Sequence, residues 1–335
     1  MRSWVLNAPG IENLALTETD TPTPGPGEVR LRMTAACVNF RDTVIAATGN
    51  GGELPLVPLS DGAGVIDAVG DGVTRVAVGD RVTPLFFPTW QGGRFTGEHG
   101  AAALGGGQDG VLREQMVISA ESVVKIPDYM SDTEAATLPC AGLTAWHTLV
   151  DAAGIKPGDI VVAQGTGGVS IYALQFAKMA GAQVIITSSS DEKLAKARQM
   201  GADHTINYKD NPEWSKEVLD ITGGRGAEIV VEVGGADTIA QSLEAVAVAG
   251  FVGVIGILSG LESELSVMSI LGKGVRVQGI YVGSRQMHED MVRAMTAASM
   301  QPVISDSVSF ENAPEAYRLM QAQGHFGKIV IDYAA

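Results

Sequence analysis

The sequence predicts an α/β protein in which a doubly wound, parallel six-stranded sheet is joined to a second, mostly β domain. Three observations carry this. From Asp159 onward, apolar strand patterns alternate with helical ones, and such alternation means parallel βαβ units. A glycine-rich turn sits at the first of these strand-to-helix junctions. Before residue 126 the pattern differs, with short runs such as EVRLRMTAACV, GAGVIDAVG and LREQMVI between Gly and Pro turn signals, which reads as a series of strands.

Two domains also follow from length, since 335 residues exceed what one hydrophobic core usually fills. With 45% hydrophobic and 18% charged residues the chain is an ordinary globular one. A net charge of -15 without a basic run argues against nucleic-acid binding, because the protein and a phosphate backbone repel each other. No stretch of about 18 uninterrupted apolar residues suggests a membrane span, and MRSWVLNAPG lacks the apolar core of a signal peptide, so a cytoplasmic location is expected. Cys37 and Cys140 are the only cysteines, which excludes a disulfide framework; neither belongs to a CxxC pair.

Taken in order, residues 91 to 110 hold eight glycines and read as a long loop, either a flexible surface excursion or a segment bordering a cleft. Ser131 and Glu134 form an S-x-x-E capping box that opens a helix through TEAATLPCAGLTAWHTLVDAAG, ended by Gly154 and Pro157. IVVAQG, QVIITS, HTINY, EIVVEVGG, GFVGVIGIL and RVQGIYVG are the six strands. Helices fall at ALQFAKMA, from Asp191, near Trp214 and over ADTIAQSLEAVAVAG. After Ser284 come the helix SRQMHEDMVRAMTAASM, another at PEAYRLMQ and a last strand, GKIVIDY, expected to rejoin the first domain. The expected division is 1–126 with 285–335 for the β domain and 127–284 for the nucleotide domain.

The strongest chemical signal is IVVAQGTGGVSIYALQFAKMAG, which places Gly165, Thr166, Gly167, Gly168 and Val169 between a strand and a helix. Glycines there permit a tight bend and let a pyrophosphate approach the positive helix N-terminus. Ser170 replaces the third glycine of G-x-G-x-x-G, a position that serves helix-to-sheet packing rather than phosphate contact. Cofactor choice is read at the end of the second strand, where an acidic residue would hold the ribose of NAD. Here the strand ends in TSSSDEK: Ser188, Ser189, Lys193 and the nearby Tyr208 suit a 2′-phosphate, and NADPH is the expected cofactor. The same residues also read as a helix cap, since Ser189 and Glu192 make another S-x-x-E.

With these motifs in place, the chain resembles the medium-chain dehydrogenase/reductase superfamily over essentially its whole length. PGPGEVRLRMTAACVNFRD, LSDGAGVIDAVGDGVTRVAVGDRV, LPCAGLTAWHTL, GTGGVS, GADHTINY and HFGKIVI occur in the family's order. The resemblance implies a Rossmann nucleotide domain and a GroES-like substrate domain. It further implies that Thr144, Val233, Gly234, Gly256 and Ile257 border the cofactor, that Val282, Phe326 and Lys328 close its cleft, and that the sixth strand pairs across a homodimer axis.

The superfamily's alcohol dehydrogenases hold a catalytic zinc with two cysteines and a histidine. Here Asn39 and Ser60 stand where the first cysteine and the histidine would be, and Cys140 approximately where the second cysteine would be. The lobe expected to carry a structural zinc, 91–110, has no cysteine, and His99 in GEHG reads as a solvated loop residue. No metal is therefore expected, and the resemblance narrows to zinc-independent quinone oxidoreductases and enone reductases, which share the N-F-x-D pattern of Asn39, Phe40 and Asp42.

The reading is hydride transfer from NADPH to a quinone or an α,β-unsaturated carbonyl, with the Asn39 amide stabilising the developing oxyanion. Phe40 would wall an apolar pocket, Asp42 would anchor the loop, and Arg41 could equally reach solvent. Cys140 is either a substrate contact or a buried small hydrophobe, and the alternative for Asn39 is a loop residue that hydrogen-bonds its own backbone. Two other functions stay open: a zinc-free alcohol or aldehyde oxidoreductase, and an NADPH-binding structural or regulatory protein without turnover.

Overall fold

A computed structural model describes residues 1–50 and 53–335. They form two compact units, Met1–Leu143 with Val282–Ala335, and Thr144–Tyr281.

The first unit opens with an antiparallel pair, β1 (Arg2–Leu6) and β2 (Leu14–Glu18). Then come β3 (Glu28–Val38), α1 (Phe40–Thr48), β4 (Asp61–Val69), β5 (Arg81–Pro84), α2 (Gly97–Ala101), β6 (Gln115–Ser119) and β7 (Val123–Lys125). In β3 the side chains of Val29, Leu31 and Met33 are buried and those of Arg30 and Arg32 are not. That period of two sets the register, because a one-residue slip would exchange the two faces.

The glycine-rich segment is packed rather than loose. Trp90 and Phe95 stack edge to face with centroids 4.9 Å apart, His99 lies flat against Trp90, and Leu104 is buried. Its glycines serve close approach: a Cβ on Gly107 would lie 1.7 Å from the Ala101 carbonyl oxygen. His99 is not merely solvated, since its Nδ1 accepts the Thr96 N–H at 3.1 Å.

The capping box forms, with Ser131 Oγ accepting the Glu134 N–H and Glu134 Oε2 accepting the Ser131 N–H. The helix beyond it is not one α-helix. It runs as α3 (Asp132–Ala135), a π-helical turn Leu138–Gly142, α4 (Leu143–Trp146) and a second π-helical stretch His147–Ala153. Pro139 has no N–H to give to an i−4 carbonyl, which is why the ladder widens here. The first unit extends to Leu143, not 126, because residues 127–143 are bonded into it: Arg81 reaches Met130 O and Asp132, Tyr129 Oη donates to Met300 O, and the Cys140 N–H donates to Asp61 Oδ2 at 3.1 Å.

The second unit alternates β8 (Ile160–Gln164), α5 (Gly168–Met179), β9 (Gln183–Ser188), α6 (Asp191–Gln199), β10 (His204–Asn207), α7 (Trp214–Ile221), β11 (Ala227–Glu232), α8 (Ile239–Ala245), β12 (Val246–Val254), α9 (Val267–Leu271) and β13 (Arg276–Gly279). All neighbours are parallel in the order β10-β9-β8-β11-β12-β13. This is the doubly wound order, and its switch point lies between β8 and β11. One boundary departs from the sequence reading. The helix expected through Gly250 stops at Ala245, and Val246 already pairs with Ala227 in β12. The valines at 246 and 248 favour extended backbone.

The chain returns to the first unit with α10 (Arg285–Ala298), β14 (Ile304–Ser309), α11 (Ala313–Ala322) and β15 (Lys328–Asp332). The larger sheet runs β14-β15-β3-β4-β5-β7, with β6 also on β3. Among the described residues no helix is long and apolar enough to cross a membrane.

Candidate active site

The glycine-rich turn lies at the carboxyl end of β8. Gly165 has φ 70°, with nothing within 4 Å of the position a Cβ would take, so the chain bends tightly and leaves open space. Gly167 caps α5, which begins at Gly168 and leads into Val169, and Thr166 is buried beside them. Ser170 turns inward, its Oγ donating to Gln164 O at 2.5 Å, so the third-glycine position holds helix to strand as expected of it.

Ser188 ends β9 and Ser189 follows it, and Tyr208 is brought next to them by its N–H bond to Ser188 O at 3.1 Å. The cap of α6 falls one residue later than expected. Ser190 is the N-cap, accepting the Lys193 N–H, and Ser188 Oγ accepts the Ser190 N–H. Asp191, the nearest acid, is tied through Oδ1 to Asn207 Nδ2 at 2.8 Å. Lys193 is held below the usual ammonium range, by burial first and by Lys196 second.

The rim of β11 is organised by a residue that sequence reasoning missed. Glu232 is fully buried and accepts from Gln164 Nε2, Thr238 Oγ1, Ser242 Oγ and the N–H groups of Gly234 and Gly235. Gln164 Oε1 accepts from Val233 and Gly234 in turn. The backbone at Val233 and Gly234 is thereby fixed, Gly256 is joined to it through Glu232 O, and Ile257 beyond is exposed. A polar residue ending each of two apolar strands was the available signal. Thr144 is buried at the start of this unit, its carbonyl accepting Thr148 Oγ1.

In the first unit, strand register gathers the remaining candidates. Cys37 of β3 faces Asp61 of β4, and Val38 faces Ile329 of β15. Asn39, Ser60 and Lys328 therefore meet where these three strands begin or end. Lys328 is 3% exposed, and its Nζ donates to Val38 O at 3.0 Å and to Asn39 Oδ1 at 2.5 Å. Ser60 Oγ donates to Asp61 Oδ1 at 2.7 Å. Asp42 Oδ2 accepts the Asn39 N–H at 2.7 Å, which fixes the entry into α1. Among the described residues Asp42 Oδ1 is buried without a hydrogen-bond partner, and Asn39 Nδ2 makes no bond of full geometry, though it faces the Asp61 carboxyl and helps hold it down.

The charges of this cluster follow from burial and mutual attraction. Burial pushes the Asp42 carboxyl up to about 6 against the pull of Arg41 and of the Asn39 N–H. Asp61 is also raised by burial, opposed chiefly by Lys328. For Lys328 burial acts downward, but the facing acidic groups together outweigh it and its ammonium is held above the ordinary range. Burial pushes the Cys37 thiol up to about 12; it donates to Ile329 O at 3.1 Å. The thiol of the half-buried Cys140 is raised too, and both cysteines are free.

Phe40 opens α1 and is half-buried. Arg41 does not simply reach solvent: it donates to Leu104 O at 2.9 Å and lies 4.5 Å from the Phe86 ring centroid. Val282, at φ 27°, and Phe326 are buried in the same unit. Asp61 was not among the sequence candidates, although the acid next to Ser60 was its signal.

Two family models match the chain, an alcohol dehydrogenase GroES-like domain over residues 25–128 and a zinc-binding dehydrogenase domain over residues 168–298. A zinc-type alcohol dehydrogenase-like protein of Schizosaccharomyces pombe is 41% identical over 90% of both chains. The chain belongs to the medium-chain dehydrogenase/reductase superfamily. Among other members, a 2-haloacrylate reductase of a Burkholderia species is 30% identical over 96% of both chains. A putative alcohol dehydrogenase from Sinorhizobium meliloti 1021 superposes with a TM-score of 0.94 at 43% identity, covering 99% of this chain and 98% of that one. Two further solved members are described by different cofactors. One is an NAD-dependent alcohol dehydrogenase, 35% identical with a TM-score of 0.90 and 99% of both chains covered. The other is a mycobacterial protein complexed with NADPH, 26% identical with a TM-score of 0.84, covering 99% of this chain and all of that one. This medium-chain family member is an oxidoreductase with a nicotinamide-dinucleotide fold.

Proposed function

We propose that the chain is a zinc-independent, NADPH-dependent reductase of quinones or α,β-unsaturated carbonyls, working in the cytoplasm as a homodimer paired through β13. The observation that carries this reading is Asn39, whose amide is buried with its oxygen bound to Lys328 and its Nδ2 near Asp61 but in no hydrogen bond of full geometry among the described residues. A buried donor without a full hydrogen bond is costly, and a substrate oxygen that gains negative charge would satisfy it.

NADPH when bound supplies the hydride. The chain's part is to hold it at the open turn of Gly165, Gly167 and Gly168 and the N-terminus of α5. The 2′-phosphate would meet Ser188, Ser189, Lys193 and Tyr208, with no acid at the strand end to repel it. Asn39 Nδ2 then donates to the substrate oxygen as charge develops there.

The residues at the zinc-ligand positions do not fit a zinc ion. Asn39 Oδ1 and the Ser60 hydroxyl are engaged with Lys328 and Asp61, a buried ammonium already occupies the cluster, and the Cys140 thiol is disfavoured as a thiolate. The 2-haloacrylate reductase among the relatives acts, by its name, on an activated alkene. The alcohol dehydrogenases among them favour carbonyl reduction as a second reading.

The test is oxidation of NADPH and NADH at 340 nm, with and without EDTA, against quinones, enones, enals and saturated aldehydes. NADPH preference, resistance to EDTA and turnover of quinones or activated alkenes are expected. Loss of activity with EDTA overturns zinc independence, NADH preference overturns the Ser188 and Lys193 reading, and turnover of saturated aldehydes alone promotes the second reading. Asn39→Ala should lower kcat by about 10²-fold or more.

A further inference from the structure

We infer that Lys328 is a positioning residue for Asn39: its buried ammonium pins the amide oxygen and so leaves the Nδ2 hydrogens as the donor end of the side chain. The inference rests on the proposed role of Asn39 and goes beyond it in saying what makes that side chain a donor rather than an acceptor.

An asparagine amide is nearly symmetric in shape, and rotation by 180° about χ2 exchanges a donor for an acceptor. Something must choose. An ammonium has three N–H donors and no acceptor, so the amide atom facing Lys328 Nζ at 2.5 Å has to be oxygen. The two groups cannot drift apart, because Lys328 opens β15 directly opposite the end of β3, with Val38 registered against Ile329. A second Nζ bond, to Val38 O at 3.0 Å, fixes the ammonium from the residue before Asn39. The Asn39 N–H is held independently by Asp42 Oδ2 at 2.7 Å. Backbone, amide oxygen and ammonium are all anchored, and Nδ2 is the one polar atom of Asn39 that, among the described residues, makes no hydrogen bond of full geometry, although it faces the Asp61 carboxyl closely enough to help hold it down.

The pin also strengthens the donor. Charge-assisted hydrogen bonds are roughly twice as strong as neutral ones, and a cation drawing electron density toward Oδ1 polarises the N–H bonds on the other arm. The ammonium is 3% exposed, and the buried carboxyls of Asp61 and Asp42 supply the opposing charge that keeps it protonated.

The experiment is a double-mutant cycle on the full-length enzyme, using the most active substrate of the panel and NADPH at saturation. Asn39→Ala, Lys328→Met and the combination are compared in kcat, in the NADPH dissociation constant from cofactor fluorescence, and in melting temperature. If Lys328 acts through Asn39, Lys328→Met lowers kcat by ~10-fold or more but no further than Asn39→Ala does. It leaves NADPH affinity within about twofold, and it has no added effect on kcat in the Asn39→Ala background. Multiplying losses in the double variant, or a loss confined to NADPH affinity, overturns the inference and leaves Asn39 as donor. An undiminished kcat in Asn39→Ala overturns the proposed function itself.

Should Lys328→Met not fold, Asn39→Asp keeps the ammonium and gives it a carboxylate to face. Its melting temperature should equal or exceed that of the wild type while kcat falls to the level of Asn39→Ala. A melting temperature lowered to that of Asn39→Ala would mean that Lys328 does not hold the side chain at position 39, and would overturn the inference.

Discussion

Two buried residues of the first unit respond to pH with opposite sign. Burial pushes the His288 imidazole down to about 3 from an unfolded value near 6.5, and neither ring nitrogen has a hydrogen-bond partner among the described residues. The folded state stays neutral while the unfolded chain takes a proton below pH 6.5, so stability is lost as pH falls from 6.5 toward 3. Between pH 7.5 and 5.5 this one group should cost about 1.3 kcal/mol. Urea unfolding of the wild type and His288→Leu at both values should show that difference between the pH dependences of the two proteins, since the Asp42 contribution is common to both. Asp42 runs the other way. Its folded value of about 6 lies above the unfolded 3.8, so the neutral form stabilises at low pH and a cost grows to its full size above pH 6, at most about 3 kcal/mol. Asp42→Asn keeps an oxygen for the Asn39 N–H and should be the more stable protein at pH 8, with no advantage near pH 4. Neither behaviour was legible in the sequence. N-F-x-D marks Asp42 as a loop anchor, but its burial, like the meeting of Asn39 with Lys328, comes from strand pairings nearly 300 residues apart in the chain. Local pattern carries no register of that range.

At the scale of elements, what could be read was what periodicity encodes. Alternating apolar strands and helices gave the six parallel strands and the turn at Gly165, because a buried parallel strand and an amphipathic helix leave distinct spacings. Ends were harder, since they are decided by single side chains competing for orphan backbone groups. SSSDE offers three serines to cap α6, and Ser190 rather than Ser189 takes the role. This separates two functions that overlap in the sequence. Ser190→Ala should cost about 1 kcal/mol in unfolding free energy and leave the ratio of kcat/KM for NADPH over NADH unchanged. Ser189→Asp should lower that ratio by tenfold or more through repulsion of the 2′-phosphate with little change in melting temperature. Equal ratios in Ser189→Asp and the wild type would remove Ser189 from the cofactor reading. The glycine-rich segment shows the same limit from the other side: glycine content alone does not distinguish a mobile loop from one whose backbone packs too closely to admit a Cβ.

For the molecule as a whole, the open question in the second unit is the edge of its sheet. Among the described residues β13 pairs only with β12, all four of its residues are exposed, and a sheet edge of this kind invites another strand. Nearby in sequence, Val267, Met268, Leu271 and Tyr281 expose 60% or more of their surface. An isolated protein rarely leaves so many large apolar side chains in water, and a two-fold axis beside β13 would cover the same patch on both copies at once. The wild type should therefore sediment at twice the 34.8 kDa of one chain at micromolar concentration. Placing lysines on both the strand and the preceding helix, as Val277→Lys with Leu271→Lys, sets like charges against each other across the axis and should yield a monomer, since an edge lysine resists strand addition. A wild type that sediments as a monomer, or a double variant that stays dimeric, would move the interface away from β13. A monomeric variant that retains NADPH binding would show that the nucleotide fold is complete within one chain.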